Sequence, residues 1–194
     1  MLAFTAFALC LMTSGERVES PLTPEEAMRG TRMPKALQGT IELVDVNYFG
    51  FDGAVHQGQI QVAAELAEEV RAIFSDLTDM RFPITRVVPV TRYGWSDSAS
   101  IRDNNTSAFN YRLVITPGGG RGVLSRHAKG TAIDLNPFLN PMRDASGHGP
   151  RLHDPSVPGT IYEGSPVIEA FRRRGWIWGG DWANGRDYQH FEKS

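Results

Sequence analysis

The sequence predicts an α+β domain built on a mainly antiparallel sheet with flanking helices. Three observations carry that expectation. Runs that alternate apolar and polar residues, the strand period, stand beside a run with the helical period. The two kinds are mixed without regular strand–helix–strand alternation, which disfavours a parallel sheet. At 194 residues the chain corresponds to a single domain, large enough to build a core without staples. Composition excludes other classes. With 20 basic against 22 acidic residues the net charge is −2, so the excess of Lys and Arg that non-specific nucleic-acid binding draws on is missing. A single cysteine rules out an intramolecular disulfide and a Cys-rich zinc cluster.

Taken in order, residues Met1–Met12 form an uncharged apolar run followed by Thr13, Ser14, Gly15, Glu16 and Arg17. The run is too short to span a bilayer but suits the apolar core of a secretory signal, so residues 1–15 are expected to be a leader and the mature chain to be exported. Cys10 lies inside that run and is incidental to it. Residues 16–38 hold Pro21, Pro24, Gly30 and Pro34 among charges and are expected to be a linker or loosely packed arm; residues 39–194 form the main domain. From Thr40 the run IELVDVNYF alternates as a strand does. Gln59–Leu77 reads as the clearest helix, with Ile60, Ala63, Ala67, Val70, Phe74 and Leu77 on one stripe. Ile84–Thr91 and Tyr111–Thr116 read as strands, with Ser96–Ser107 a polar loop between them.

Gly118–Gly120 are read as a turn, since no Gly-Lys-Ser/Thr follows to complete a phosphate loop. Thr131–Asn136 reads as a short strand. Pro137–Gly159 reads as a long loop with five prolines, a length that is often functional and makes it the candidate rim of a binding site. Ser165 and Pro166 begin a helix that stops at Gly175.

The chemistry lies in the histidines and their neighbours. His127 opens S-R-H-A-K-G-T-A-I-D, which ends at Asp134, and His190 closes D-Y-Q-H. Two imidazoles and a carboxylate are a set able to hold Zn²⁺ and leave a fourth position for water. In one straight strand His127 and Asp134 would be about 23 Å apart, at ~3.3 Å per residue. The chain must therefore reverse between them, and Gly130 is suited to that turn. Past the turn, Ala132, Asp134 and Asn136 share one strand face and Ile133 and Leu135 the other. Asp187 and His190 would face opposite ways in a flat strand, so a turn or bulge at Tyr188–Gln189 is needed to bring them together. His56, His148 and His153 lack such company and are read as surface or hydrogen-bonded residues, and Trp176–Trp182 as packing beneath the site.

The segments SRHAKGTAIDLNP, GWIWGGDW and DYQHFE, with NNTSAFNYR and the strand IELVDV, resemble the zinc peptidases of bacterial cell walls. That family comprises D-alanyl-D-alanine carboxypeptidases and dipeptidases of the VanY and VanX type and L-alanyl-D-glutamate endopeptidases; it shares its fold with the N-terminal domain of hedgehog signalling proteins. The resemblance covers about residues 39–192. It implies one Zn²⁺ per chain held by His127, Asp134 and His190, Asp187 as general base, Arg112 facing the substrate carbonyl or carboxylate, and Ser125 near the substrate. It also implies a monomer acting on peptidoglycan or its peptide precursors, in the periplasm or the cell wall. The GGDW segment and the acidic base favour the L-alanyl-D-glutamate endopeptidases over the D-alanyl-D-alanine carboxypeptidases. The alternative from another class is a zinc-containing binding module without catalysis. Asp187 discriminates, because a module that only binds has no use for an acid there.

Overall fold

The structure is a computed structural model that describes residues 21–114 and 122–194. The expected leader with Cys10 and the expected turn at Gly118–Gly120 lie outside the described residues. The architecture is α+β, but its strands form several small sheets rather than one. Strands β1 (Ile41–Phe49) and β2 (Val55–Ala63) form an antiparallel hairpin, in register from Ile41 opposite Ala63 to Phe49 opposite Val55. Helix α3 (Ala67–Asp79) packs its Val70, Ile73, Phe74 and Leu77 onto the hairpin, against Val44, Val46, Ile60 and Val62. Among the described residues no helix is long and apolar enough to cross a membrane.

The helix expected over Gln59–Leu77 is corrected at its start. Gln59–Ala63 belong to β2, and α3 begins at Ala67 after a short 3₁₀ turn. Ile60 and Ala63 are three apart and so imitate a helical stripe. The competing strand period in Gly58, Ile60 and Val62 prevails because β1 supplies a full ladder of hydrogen-bond partners.

Two further expectations change. Ile84–Thr91 shrinks to strand β3 (Arg86–Val87), because Pro89 has no amide hydrogen for a ladder and a 3₁₀ turn follows at Val90–Tyr93. Within the expected loop Ser96–Ser107, helix α4 (Asp97–Arg102) forms, with the Ser96 side chain accepting from the Ala99 amide at 3.3 Å. It is followed by β4 (Asn105–Thr106), which pairs parallel with β3. The described part of the expected strand Tyr111–Thr116 contributes a single bridge, Leu113 to Leu124. The 21–38 segment carries two short helices, α1 (Pro24–Ala27) and α2 (Lys35–Gln38), and buries Ala27 and Met33.

The second half of the chain is organised around a three-stranded antiparallel sheet, β5 (Ala132–Asp134), β9 (His190–Glu192) and β7 (Ile177–Trp178), in the order β5-β9-β7. Helix α5 (Pro166–Arg172) covers it, and Phe171 stacks on Phe191 with ring centroids 3.8 Å apart. Within the loop Pro137–Gly159, strand β6 (Met142–Arg143) pairs antiparallel with β8 (Arg186–Asp187) and sets Met142 opposite Asp187.

Candidate metal centre

Three local features bring the motif residues together. The first is the turn after Ser125. The Ser125 hydroxyl accepts from the His127 amide at 3.1 Å and starts a 3₁₀ turn, His127–Lys129, which Gly130 ends at φ +69°. A Cβ on Gly130 would also stand 2.4 Å from the Ala63 nitrogen, so this close approach to the hairpin admits only glycine. The chain reversal required between His127 and Asp134 is thus built from these residues.

The second is register. Asp134 on β5 sits directly opposite His190 on β9. The third is the bend at Tyr188–Gln189, which lets β8 present Asp187 and β9 present His190 to one cleft. Gly179 makes that bend possible: a Cβ there would lie 2.7 Å from the Asp187 carbonyl oxygen and 3.2 Å from the His190 Cβ. The Trp178 indole donates to the Tyr188 carbonyl at 2.9 Å, and His153 stacks on Tyr188 at 3.8 Å. Trp176 and Trp178 are buried beneath the site, whereas Trp182 lines the cleft, 5.3 Å between ring centroids from His190.

The donor atoms of His127, Asp134 and His190 all lie within 4.8 Å of one another. Asp134 Oδ1 is 3.3 Å from His127 Nε2 and 3.0 Å from His190 Nδ1. Each imidazole is held from its far side. His127 Nδ1 donates to the Ala108 carbonyl at 2.5 Å, which turns Nε2 toward Asp134. His190 Nε2 lies 3.2 Å from Glu192 Oε2, which turns Nδ1 inward. Two oriented imidazole nitrogens and one carboxylate fit the donor chemistry of Zn²⁺, with outer partners of the kind that fix ligating histidines.

Charge in the cleft is tightly interdependent. Burial works to raise the Asp134 pKa, but the charges and hydrogen bonds of the two histidines together outweigh it and hold the carboxyl far below the usual range. Burial likewise opposes charge on His190, yet the hydrogen bonds to Asp134 and Glu192 push its pKa up to about 10. Asp187 goes the other way. Burial, then the negative charge of Asp134, raise it to about 7 against the opposing pull of the histidines. Its Oδ1 is buried and has no hydrogen-bond partner among the described residues. A carboxyl poised near neutrality, beside a cation-type donor set, can both take and return a proton.

The cleft has a volume of about 440 Å³ and is also lined by Arg112, Ser125 and Met142. Arg112 is ion-paired with Asp97, which also accepts from the Asn110 amide at 2.5 Å; Asn110 and Arg112 of the N-Y-R motif thus grip one carboxylate. Sequence reasoning missed Asp97, Trp182 and Glu192. For Glu192 a signal existed, because alternation in H-F-E puts it on the face of His190. The remaining histidines stand apart from the centre: His56 pairs with Asp52 at 2.9 Å, His148 is exposed, and His153 Nε2 donates to the Ile161 carbonyl at 2.8 Å.

Residues 118–193, which contain all three donors and Asp187, match the profile of the family described as D-alanyl-D-alanine carboxypeptidase. This segment is similar to that family of peptidases, and the match spans less than half of the chain. Asn110, Arg112 and the hairpin lie before the matched segment. No solved structure matches the chain.

The Glu192 contact makes a specific forecast. Glu192→Gln is expected to weaken Zn²⁺ affinity about 10- to 100-fold, the usual consequence of losing an outer-sphere carboxylate. Competition with a chromogenic chelator measures it, and an unchanged affinity would show that Glu192 does not orient His190.

Proposed function

We propose that this protein is a zinc-dependent peptidase that hydrolyses peptidoglycan stem peptides, most closely an L-alanyl-D-glutamate endopeptidase. The observation that carries this reading is the Asp187 carboxyl, whose Oδ1 is buried with no hydrogen-bond partner among the described residues, beside the His127–Asp134–His190 donor set. A binding module would have no use for it.

His127, Asp134 and His190 would hold one Zn²⁺. Bound there, the ion supplies a Lewis acid that polarises a carbonyl and makes water acidic enough to attack near pH 7. Asp187 takes a proton from the attacking water and returns it to the leaving amine. Arg112, oriented by Asp97, offers its fixed charge to the developing oxyanion or to a substrate carboxylate. Ser125 holds the turn that carries His127 and, from the cleft wall, lies within reach of substrate. The substrate lies outside the cytoplasm, which agrees with reading Met1–Met12 as an export signal.

The family description favours a second reading, a D-alanyl-D-alanine carboxypeptidase. A mass-spectrometric time course on purified peptidoglycan and a defined stem pentapeptide, with zinc-loaded protein, separates the two. Cleavage between L-Ala and D-Glu is expected. Early loss of a single D-Ala with that bond intact replaces the endopeptidase by the carboxypeptidase. Absence of any cleavage removes the peptidase reading. In the same assay Arg112→Ala is expected to lower kcat/KM at least about tenfold, since hydrogen bonds to charged groups are worth ~1.5–3 kcal/mol. Arg112→Lys is expected to recover part of the loss, because an ammonium cannot reproduce the planar fork. A wild-type rate in Arg112→Ala would remove that residue from the mechanism.

A further inference from the structure

Arg112 is a wall of two hollows. Besides the metal cleft it lines a second cavity of about 320 Å³, whose other walls include Arg32, Trp95, Asn110 and Tyr111. Two guanidinium groups therefore border one cavity. The charge of Arg112 is compensated by Asp97. Arg32 is exposed and forms no ion pair among the described residues. Among the described residues the cavity thus carries one uncompensated positive charge beside the metal cleft.

Arg32 reaches this position because its segment is fastened there. The Arg29 carbonyl accepts from the Trp95 indole at 2.9 Å and from the Thr91 hydroxyl at 3.2 Å. Gly30, at φ +76°, turns the chain over the indole, and a Cβ on it would meet Trp95 Nε1 at 3.5 Å. Trp95 itself adopts φ +66°, rare for a bulky residue, and sets its ring edge-on to Phe109 at 5.8 Å. A strained aromatic that clasps the arm beside a cleft is the kind of local cost that persists where geometry matters.

We propose that this second cavity is an extended substrate subsite, in which Arg32 binds the free D-Glu carboxylate of the peptide that runs past Arg112 from the metal cleft. The inference rests on the peptidase reading above and deepens it. Guanidinium geometry matches a carboxylate through two parallel hydrogen bonds. The faces of Trp95 and Tyr111 offer apolar surface to the aliphatic part of such a peptide. The arm before residue 39 is then a part of the binding site and not a tether.

The test compares a defined stem pentapeptide with its analogue in which the D-Glu carboxylate is a carboxamide, using the zinc-loaded protein. Arg32→Ala is expected to raise KM for the carboxylate peptide about fivefold with kcat within twofold of wild type. Arg32→Glu is expected to raise it further. KM for the carboxamide peptide is expected to be the same in wild type and Arg32→Ala. Calorimetry on zinc-loaded Asp187→Ala, with and without Arg32→Ala, measures binding of the same two peptides without turnover and is expected to give the same pattern in Kd. Wild-type cleavage with an unchanged KM in Arg32→Ala, or an equal rise for both peptides, overturns the subsite and leaves the peptidase standing. If the wild type neither cleaves nor binds the pentapeptide, both readings fall. Thermal unfolding of each variant, expected to match wild type because Arg32 is exposed, excludes a folding defect.

Discussion

His190→Ala is expected to abolish metal binding and hydrolysis together. His190 sits opposite Asp134 in the β5–β9 ladder, and its Nδ1 is 3.0 Å from the carboxylate that the whole centre converges on. Removing the ring leaves one imidazole and one carboxylate, too few donors for a catalytic zinc site. Metal content by elemental analysis is expected to fall from about one Zn²⁺ per chain to a trace. Activity is expected to fall at least about a thousandfold, since charge stabilisation by a metal is worth several kcal/mol and ~4 kcal/mol corresponds to that factor. Full zinc occupancy in His190→Ala would mean that the ligand set is wrongly assigned.

Asp187→Ala is expected to separate chemistry from metal binding. The residue lies on β8, outside the three-donor cluster, and its Oδ1 has no partner to lose among the described residues. Zinc content is expected to stay near that of the wild type. Loss of a general base costs about 10²- to 10⁴-fold, so kcat is expected to fall by that range. The substitution also removes a carboxylate that burial and Asp134 keep from ionising normally, so the fold is not expected to suffer. Near-normal turnover would refute the base; loss of zinc would move Asp187 into the ligand set.

Much of this centre is legible in the sequence. The two motifs contain every donor, and the requirement for a reversal between His127 and Asp134 follows from strand length alone. Gly130 meets that requirement, and its contact with Ala63 adds a reason that lies 67 positions away in sequence and is invisible there. Local signals failed where two periods competed or where an element was short. Ile60 and Ala63 fit a helix as well as a strand, and only the partner strand β1 decides between them. Helix α4 has six residues and no apolar stripe, so Ser96 was its sole marker.

The sequence by itself determined the donor types, the acid three residues before the last histidine, and the α+β class, because these depend on residue chemistry and on periods of two and of three to four. The tertiary structure decided which atoms face each other. Strand register set Asp134 against His190, and Glu192 and the Ala108 carbonyl turned the imidazoles inward. It also decided that Asp97 would hold Arg112 and that Arg32 would join its cavity. Apart from Glu192, two residues from His190, those pairings span gaps of 15 to 80 residues, and contact across such gaps is set by how the whole core packs rather than by any local preference.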